Sequence, residues 1–126
     1  KTDAIDVISK VGGLDIAGMV GCYLGAAYYH LPILIDGFIS AISAYLAGML
    51  SKTAKEYMIP THGSAEPAAK LAMEHLGMQA PIQAGMHLGE GTGAIMGLSL
   101  IDQGLNVYYH VATWDGAHVE AYTHQK

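Results

Sequence analysis

The stretch Leu88-Gly89-Glu90-Gly91-Thr92-Gly93 carries the sharpest chemical signal in this chain. Its glycines let the backbone approach a ligand closely and adopt positive φ. They also bare the amides that open the next helix, an arrangement suited to a phosphate or another anion. A carboxylate in such a loop repels a phosphate at short range, so Glu90 is expected to face a different part of a substrate. In a closed pocket a glutamate's pKa rises, and it can act as a general base near neutral pH. The motif alone leaves the other reading open, a solvated glutamate on a flexible turn.

Three more polar clusters sit where an α/β sheet would place them together. Asp36-Gly37 follows one apolar run, and Thr61-His62-Gly63-Ser64 follows another. Val11-Gly12-Gly13-Leu14-Asp15 is a glycine-rich turn opening a helix. Asp36 either caps the helix beginning at Gly37 or accepts hydrogen bonds from ribose hydroxyls. Asp15 reads first as a first-turn helix carboxylate, and Ser64 first as a helix cap. The seven histidines are scattered without ligand spacing, and the single cysteine has no partner, so no metal site is expected. A serine-hydrolase reading fails as well. There is no Gly-x-Ser-x-Gly elbow, and His62 and Ser64 are neighbours on one loop.

The elements that must hold these clusters alternate. Thr2–Lys10 reads as a helix capped by Thr2, and Leu14–Tyr29 as a second helix. Ala17, Gly18, Gly21, Gly25 and Ala26 would let a neighbouring element approach that second helix. Pro32–Asp36 is apolar without alternation, as a parallel strand covered on both faces would be. A helix from Gly37 to about Leu50 follows, then a short strand over Tyr57–Pro60 and a loop over Thr61–Ala65. The next helix has Ser64 as cap, Glu66 and Pro67 in its first turn, and its end near Gly77. Ile82–Leu88 is a weaker third strand, Gly89–Gly93 a loop, and a last helix runs from Ala94 to between Asp102 and Tyr109. The expected fold is therefore α/β: part of a doubly wound, Rossmann-like parallel sheet, about three short strands with flanking helices. Ligands in such sheets bind at the carboxyl ends of the strands, where the polar clusters fall.

Composition narrows the function classes. The chain has 126 residues, 52% hydrophobic and only 13% charged, so much of its surface is expected to be covered by a partner or by more protein. The formal charge is −5 and arginine is absent, which excludes a nucleic-acid surface. Leu31–Leu50 is apolar but is interrupted by Pro32 and Asp36-Gly37, so it reads as strand and helix rather than a membrane span. No leader pattern appears at the start, and the cytoplasm is the expected location. Cys22 reads as a buried inert thiol, the tyrosine pairs 28–29 and 108–109 as packing or interface residues, and the methionines as core fillers.

Five blocks, taken together, resemble a known family. They are Lys10–Met19, Leu24–Ala27, Leu31–Ser40, Ile59–Glu66 and Leu88–Ala94, in register over Asp6 to about Leu100. They look like consecutive blocks of the nicotinate-nucleotide:dimethylbenzimidazole phosphoribosyltransferases, which move a phosphoribosyl group from nicotinate mononucleotide to a benzimidazole. The resemblance implies a parallel-sheet fold, a homodimer, and no metal or cofactor requirement. It implies that Glu90 takes the proton from the benzimidazole as its nitrogen attacks C1′ of the ribose. It places Asp36, Gly37 and Ser64 on the nucleotide and nicotinate side of the pocket, and Gly12, Gly13 and Asp15 at the turn beside it. Leu88, Gly89, Gly91, Thr92 and Gly93 match the loop that closes the site.

The departures carry weight. Family members are much longer, so residues 1–126 match a C-terminal portion, with 106–126 a loosely matching tail. An arginine common before Leu-Gly-Glu is His87 here, and Gly63 stands where a larger residue is frequent. Two functions follow as expectations. The first is a part of a transferase that is inactive alone and contributes the base. The second is a non-catalytic nucleotide-binding module or subunit completed by another chain.

Overall fold

The computed structural model describes residues 3–120 and 123. Helix α1 spans Ala4–Val11 and is capped by Asp3, whose side chain accepts from the Ile5 amide. The expected cap, Thr2, lies outside the described residues. Helix α2 (Leu14–Tyr28) follows after Gly12-Gly13. Strand β1 (Ile33–Ile35) leads into helix α3 (Phe38–Leu50), as the apolar run and the Asp-Gly break predict. A 3₁₀ helix over Thr53–Tyr57 then replaces the first residue of the expected second strand.

The chain next runs through β2 (Met58–Pro60) and β3 (His62–Ser64), separated by Thr61 alone. Helix α4 (Pro67–Leu76) begins with proline at its start, where no amide is needed, and ends at Gly77 with φ 72. Strand β4 covers Ile82–Met86, and helix α5 covers Thr92–His110.

The sheet differs from the expected three strands. β1 pairs in parallel with β2, and β3 pairs in parallel with β4, giving two two-stranded ladders. The segment expected as a loop after Pro60 is strand β3. Thr61 joins the ladders: its amide donates to the Ile35 carbonyl and its own carbonyl accepts from the Ile82 amide. One extended segment thus serves two neighbours in turn, and the break between them has no signature in local composition.

The core is built around α3. Ala41, Ala44 and Ala47 are buried on it, with Val20 and Tyr23 from α2, Ile35 from β1 and Ala69, Ala72 and Leu76 from α4. Small side chains allow the helices to come close and leave few voids. Gly18, Gly21 and Gly25 on α2 have nothing within 4 Å of where a side chain would start, so the expected neighbour is absent among the described residues. Cys22 on the same helix is exposed, correcting the buried reading. Helix α5 leans on β1 and β3 and leaves Ile95, Leu98, Leu105, Tyr108 and Tyr109 exposed. Among the described residues no helix is long and apolar enough to cross a membrane.

Candidate functional site

Parallel strands deliver their carboxyl ends to one edge. Ile35 ends β1 just before Asp36 and Gly37, Ser64 ends β3, and β4 ends four residues before Glu90. A cleft of about 630 Å³ lies there. Of the residues singled out from sequence, Asp36, Gly37, Ser64, Leu88, Gly89, Glu90 and Gly91 line it. A second cleft, of about 470 Å³, shares Asp36, Gly37, His62 and Ser64 and extends towards Lys70, Glu74 and Gln83.

The other sequence candidates stand apart from both clefts. Gly12 ends α1, Gly13 opens α2, and Asp15 lies in the first turn of α2. Thr92 and Gly93 were expected in a loop but form the first turn of α5. Thr92 is tied back to the loop, with its amide and its Oγ1 both donating to the Gly89 carbonyl at 3.1 and 2.7 Å.

The loop carrying Glu90 has an uncommon backbone. Gly89, Glu90 and Gly91 take φ of 76, 56 and 76 in succession. The two glycines adopt this region freely, whereas Glu90 sits in it at a cost of about 1–2 kcal/mol. The Glu90 side chain is exposed at the mouth of the cleft and is not enclosed.

Asp36 does not cap the helix it precedes, because α3 opens at Gly37 without any side-chain cap. The Asp36 carboxylate instead crosses to α5, where Oδ2 accepts from the Gly91 amide at 3.1 Å and Oδ1 from the Ala94 amide at 2.9 Å. The start of α5 is therefore not the bare anion site that the glycine pattern suggested. Its free amides already meet a carboxylate, which also suits the positive end of the helix dipole. Ser64 likewise caps no helix. Its Oγ accepts from the Glu66 amide at 3.3 Å, and Glu66 is the residue at the cap position of α4.

Ser40 and Tyr23, which no motif marks, and His62 of the Thr61–Ser64 cluster complete the site. Ser40 Oγ accepts from the Asp36 amide at 3.1 Å and shares a 2.6 Å hydrogen bond with the Tyr23 hydroxyl. Burial pushes the Tyr23 hydroxyl up to about 12; the Ser40 bond works against that shift and the Asp36 charge adds to it. His62 is 4% exposed yet lines both clefts, with Nδ1 3.4 Å from Thr61 Oγ1. The signal for its burial was the Gly93/Gly97 pair one helical turn apart, which lets α5 settle on Thr61 and His62. Among the described residues, no group of three or more His, Cys, Asp or Glu side chains could hold a metal ion.

The phosphoribosyltransferase family model DBI_PRT matches residues 1–119. The nicotinate-nucleotide–dimethylbenzimidazole phosphoribosyltransferase of Clostridium acetobutylicum is 48% identical over 97% of this chain, and the chain spans 35% of that relative. The protein of the same name from Acetivibrio thermocellus is 47% identical over 98% of the chain, again spanning 35% of the relative. The crystal structure of CobT from Thermus thermophilus superimposes with a TM-score of 0.88 at 29% identity, covering 96% of this chain and 36% of that one.

Proposed function

This chain belongs to the phosphoribosyltransferase family, and from that membership we propose that it supplies the base and part of the nucleotide site of a nicotinate mononucleotide:benzimidazole phosphoribosyltransferase. The nitrogen lone pair of the benzimidazole-type base attacks C1′ of the ribose. The C1′–N bond to nicotinate breaks, and its electron pair returns to the pyridine ring as nicotinate leaves. Glu90 takes the proton from the other ring nitrogen of the acceptor, and α-ribazole 5′-phosphate forms. No cofactor enters this step. General-base assistance of this kind contributes about 10²–10⁴-fold.

The observation that carries the reading is the position of Glu90. It stands at the mouth of a cleft at the carboxyl ends of the strands, in the loop whose sequence matches the family. Gly37, Ser64, Leu88, Gly89 and Gly91 line the same cleft and are read as substrate contacts, with Asp36 on the nucleotide side. Gly12, Gly13, Asp15, Thr92 and Gly93 keep a supporting part in that site through the turn before α2 and the first turn of α5.

Residues 1–126 are read as the C-terminal part of an α/β domain, with 106–126 as its least matched tail. The rest of the site, including what encloses Glu90, belongs to an N-terminal region or a complementing chain. A homodimer in the cytoplasm is the proposed setting, without nucleic acid or membrane partners.

The second reading is a nucleotide-binding module or subunit without chemistry of its own, and the exposure of Glu90 favours it. One experiment separates the two. The chain is joined to the N-terminal two-thirds of the 48% identical relative, and α-ribazole phosphate and nicotinate are assayed. Product that falls about 100-fold or more in Glu90→Gln supports the first reading. No product from the unaltered chimera supports the second, and product indifferent to Glu90→Gln removes Glu90 from the chemistry.

A further inference from the structure

Asp36 is the only side chain hydrogen-bonded to the start of α5 from outside that segment among the described residues. The two bonds bracket the helix start, one on Gly91 directly after Glu90 and one on Ala94 in the first turn. Charge-assisted bonds of this type are roughly twice as strong as neutral ones. They act on a segment that does not hold its own shape cheaply, because Glu90 lies in the left-handed region between two glycines. Asp36 in turn is fixed from behind. Its amide bonds to Ser40 Oγ, and Ser40 bonds to Tyr23, which is 2% exposed in the core. A hydrogen-bonded path therefore runs from Tyr23 through Ser40 and Asp36 to the residue next to Glu90.

We propose that Asp36 is a positioning residue: it sets the conformation of the Glu90 loop for proton transfer and does not act through contact with the ribose. This rests on the reading of Glu90 as the base. Both carboxylate oxygens already bond to backbone amides, one in the loop and one in the first turn of α5, which leaves the side chain committed in direction. A catalytic group displaced by about 1 Å loses on the order of 100-fold in rate, so release of the loop should appear in turnover before it appears in substrate binding.

The test uses the same joined full-length protein. Asp36→Ala and Asp36→Asn are compared with the unaltered protein and with Glu90→Gln, and the Asn variant keeps the shape of the side chain should the Ala variant fail to fold. The expected result is a kcat lowered about 10- to 100-fold with the KM for nicotinate mononucleotide changed less than about threefold. Hydrogen exchange at the Gly91 and Ala94 amides should quicken about 10-fold or more. A raised nucleotide KM with little change in kcat, or unchanged exchange at both amides, would overturn the proposal. Glu90→Gln separates the two claims. If it lowers turnover and the Asp36 variants do not, only the positioning role is wrong. If it leaves turnover unchanged, the base assignment is wrong and the role of Asp36 falls with it.

Discussion

The imidazole of His62 fills the space that any side chain on Gly93 would need. Gly97, one turn further along α5, stands in the same relation to Thr61, whose Cγ2 would be 2.5 Å from an added Cβ. Both neighbours are buried, so an added methyl must displace a packed side chain. Gly93→Ala and Gly97→Ala should each destabilise the protein by about 1–3 kcal/mol through overpacking. Gly104 on the same helix has nothing within 4 Å. There the same substitution should be stabilising by up to about 1 kcal/mol through helix propensity. Urea denaturation of the three variants checks the pattern, and equal effects at all three sites would refute it.

Thr61 links the two ladders. Its Oγ1 donates to the Ile35 carbonyl at 2.6 Å, beside the backbone bond to that same oxygen. Thr61→Val keeps the shape and removes the hydroxyl bond. A loss of about 1–2 kcal/mol is expected. A valine variant as stable as the parent in denaturant titration would mean that the backbone bond alone satisfies Ile35.

The Tyr23 hydroxyl has an ordinary value near 10 in the unfolded chain and about 12 in the folded one. The folded state therefore holds this proton more tightly. The stabilisation is fully present below pH 10 and is lost as pH rises through 12. The slope amounts to about 1.4 kcal/mol for each pH unit inside that window. Tyr23→Phe should be less stable at neutral pH, since Ser40 loses its partner, but should lack the Tyr23 part of the alkaline decline. Parallel stability curves for the two proteins between pH 9 and 12 would contradict this.

Backbone conformation gives Glu90 a distinct signature. With φ at 56, any side chain there is strained and glycine is not. Glu90→Gly should therefore be more stable than Glu90→Ala by about 1 kcal/mol, although both remove the carboxylate. Thermal unfolding of the pair decides it, and an alanine variant of equal stability would show that the loop relaxes away from this conformation.

Much of this architecture is written locally. Pro32–Asp36 announces β1 because an apolar run closed by Asp-Gly suits little else. Gly77 ends α4 at a left-handed position that glycine takes without strain. What the sequence hid is set by distant partners. Asp36 reads either as a cap for α3, whose amides are next door, or as a ribose contact, yet α3 opens uncapped and the carboxylate serves α5. Thr92 and Gly93 read as loop because glycine is a poor helix former. In the folded chain Gly93 is required for close approach to His62, and packing overrides propensity. Strand β3 is invisible in Thr-His-Gly-Ser, since only pairing with β4 extends it.

The bond from Asp36 to α5 joins positions 55 and 58 residues apart. Asp36 is synthesised 55 residues before Gly91 and 58 before Ala94. Helix α5 can start to coil on its own, but its first turn stays uncapped until β1 and β4 have been brought to the same edge. Contacts of such separation form late, after the loops they close have already been ordered. The Glu90 turn is accordingly a product of completed assembly, and a chain stalled with its ladders unpaired would have every residue of the cleft and no cleft.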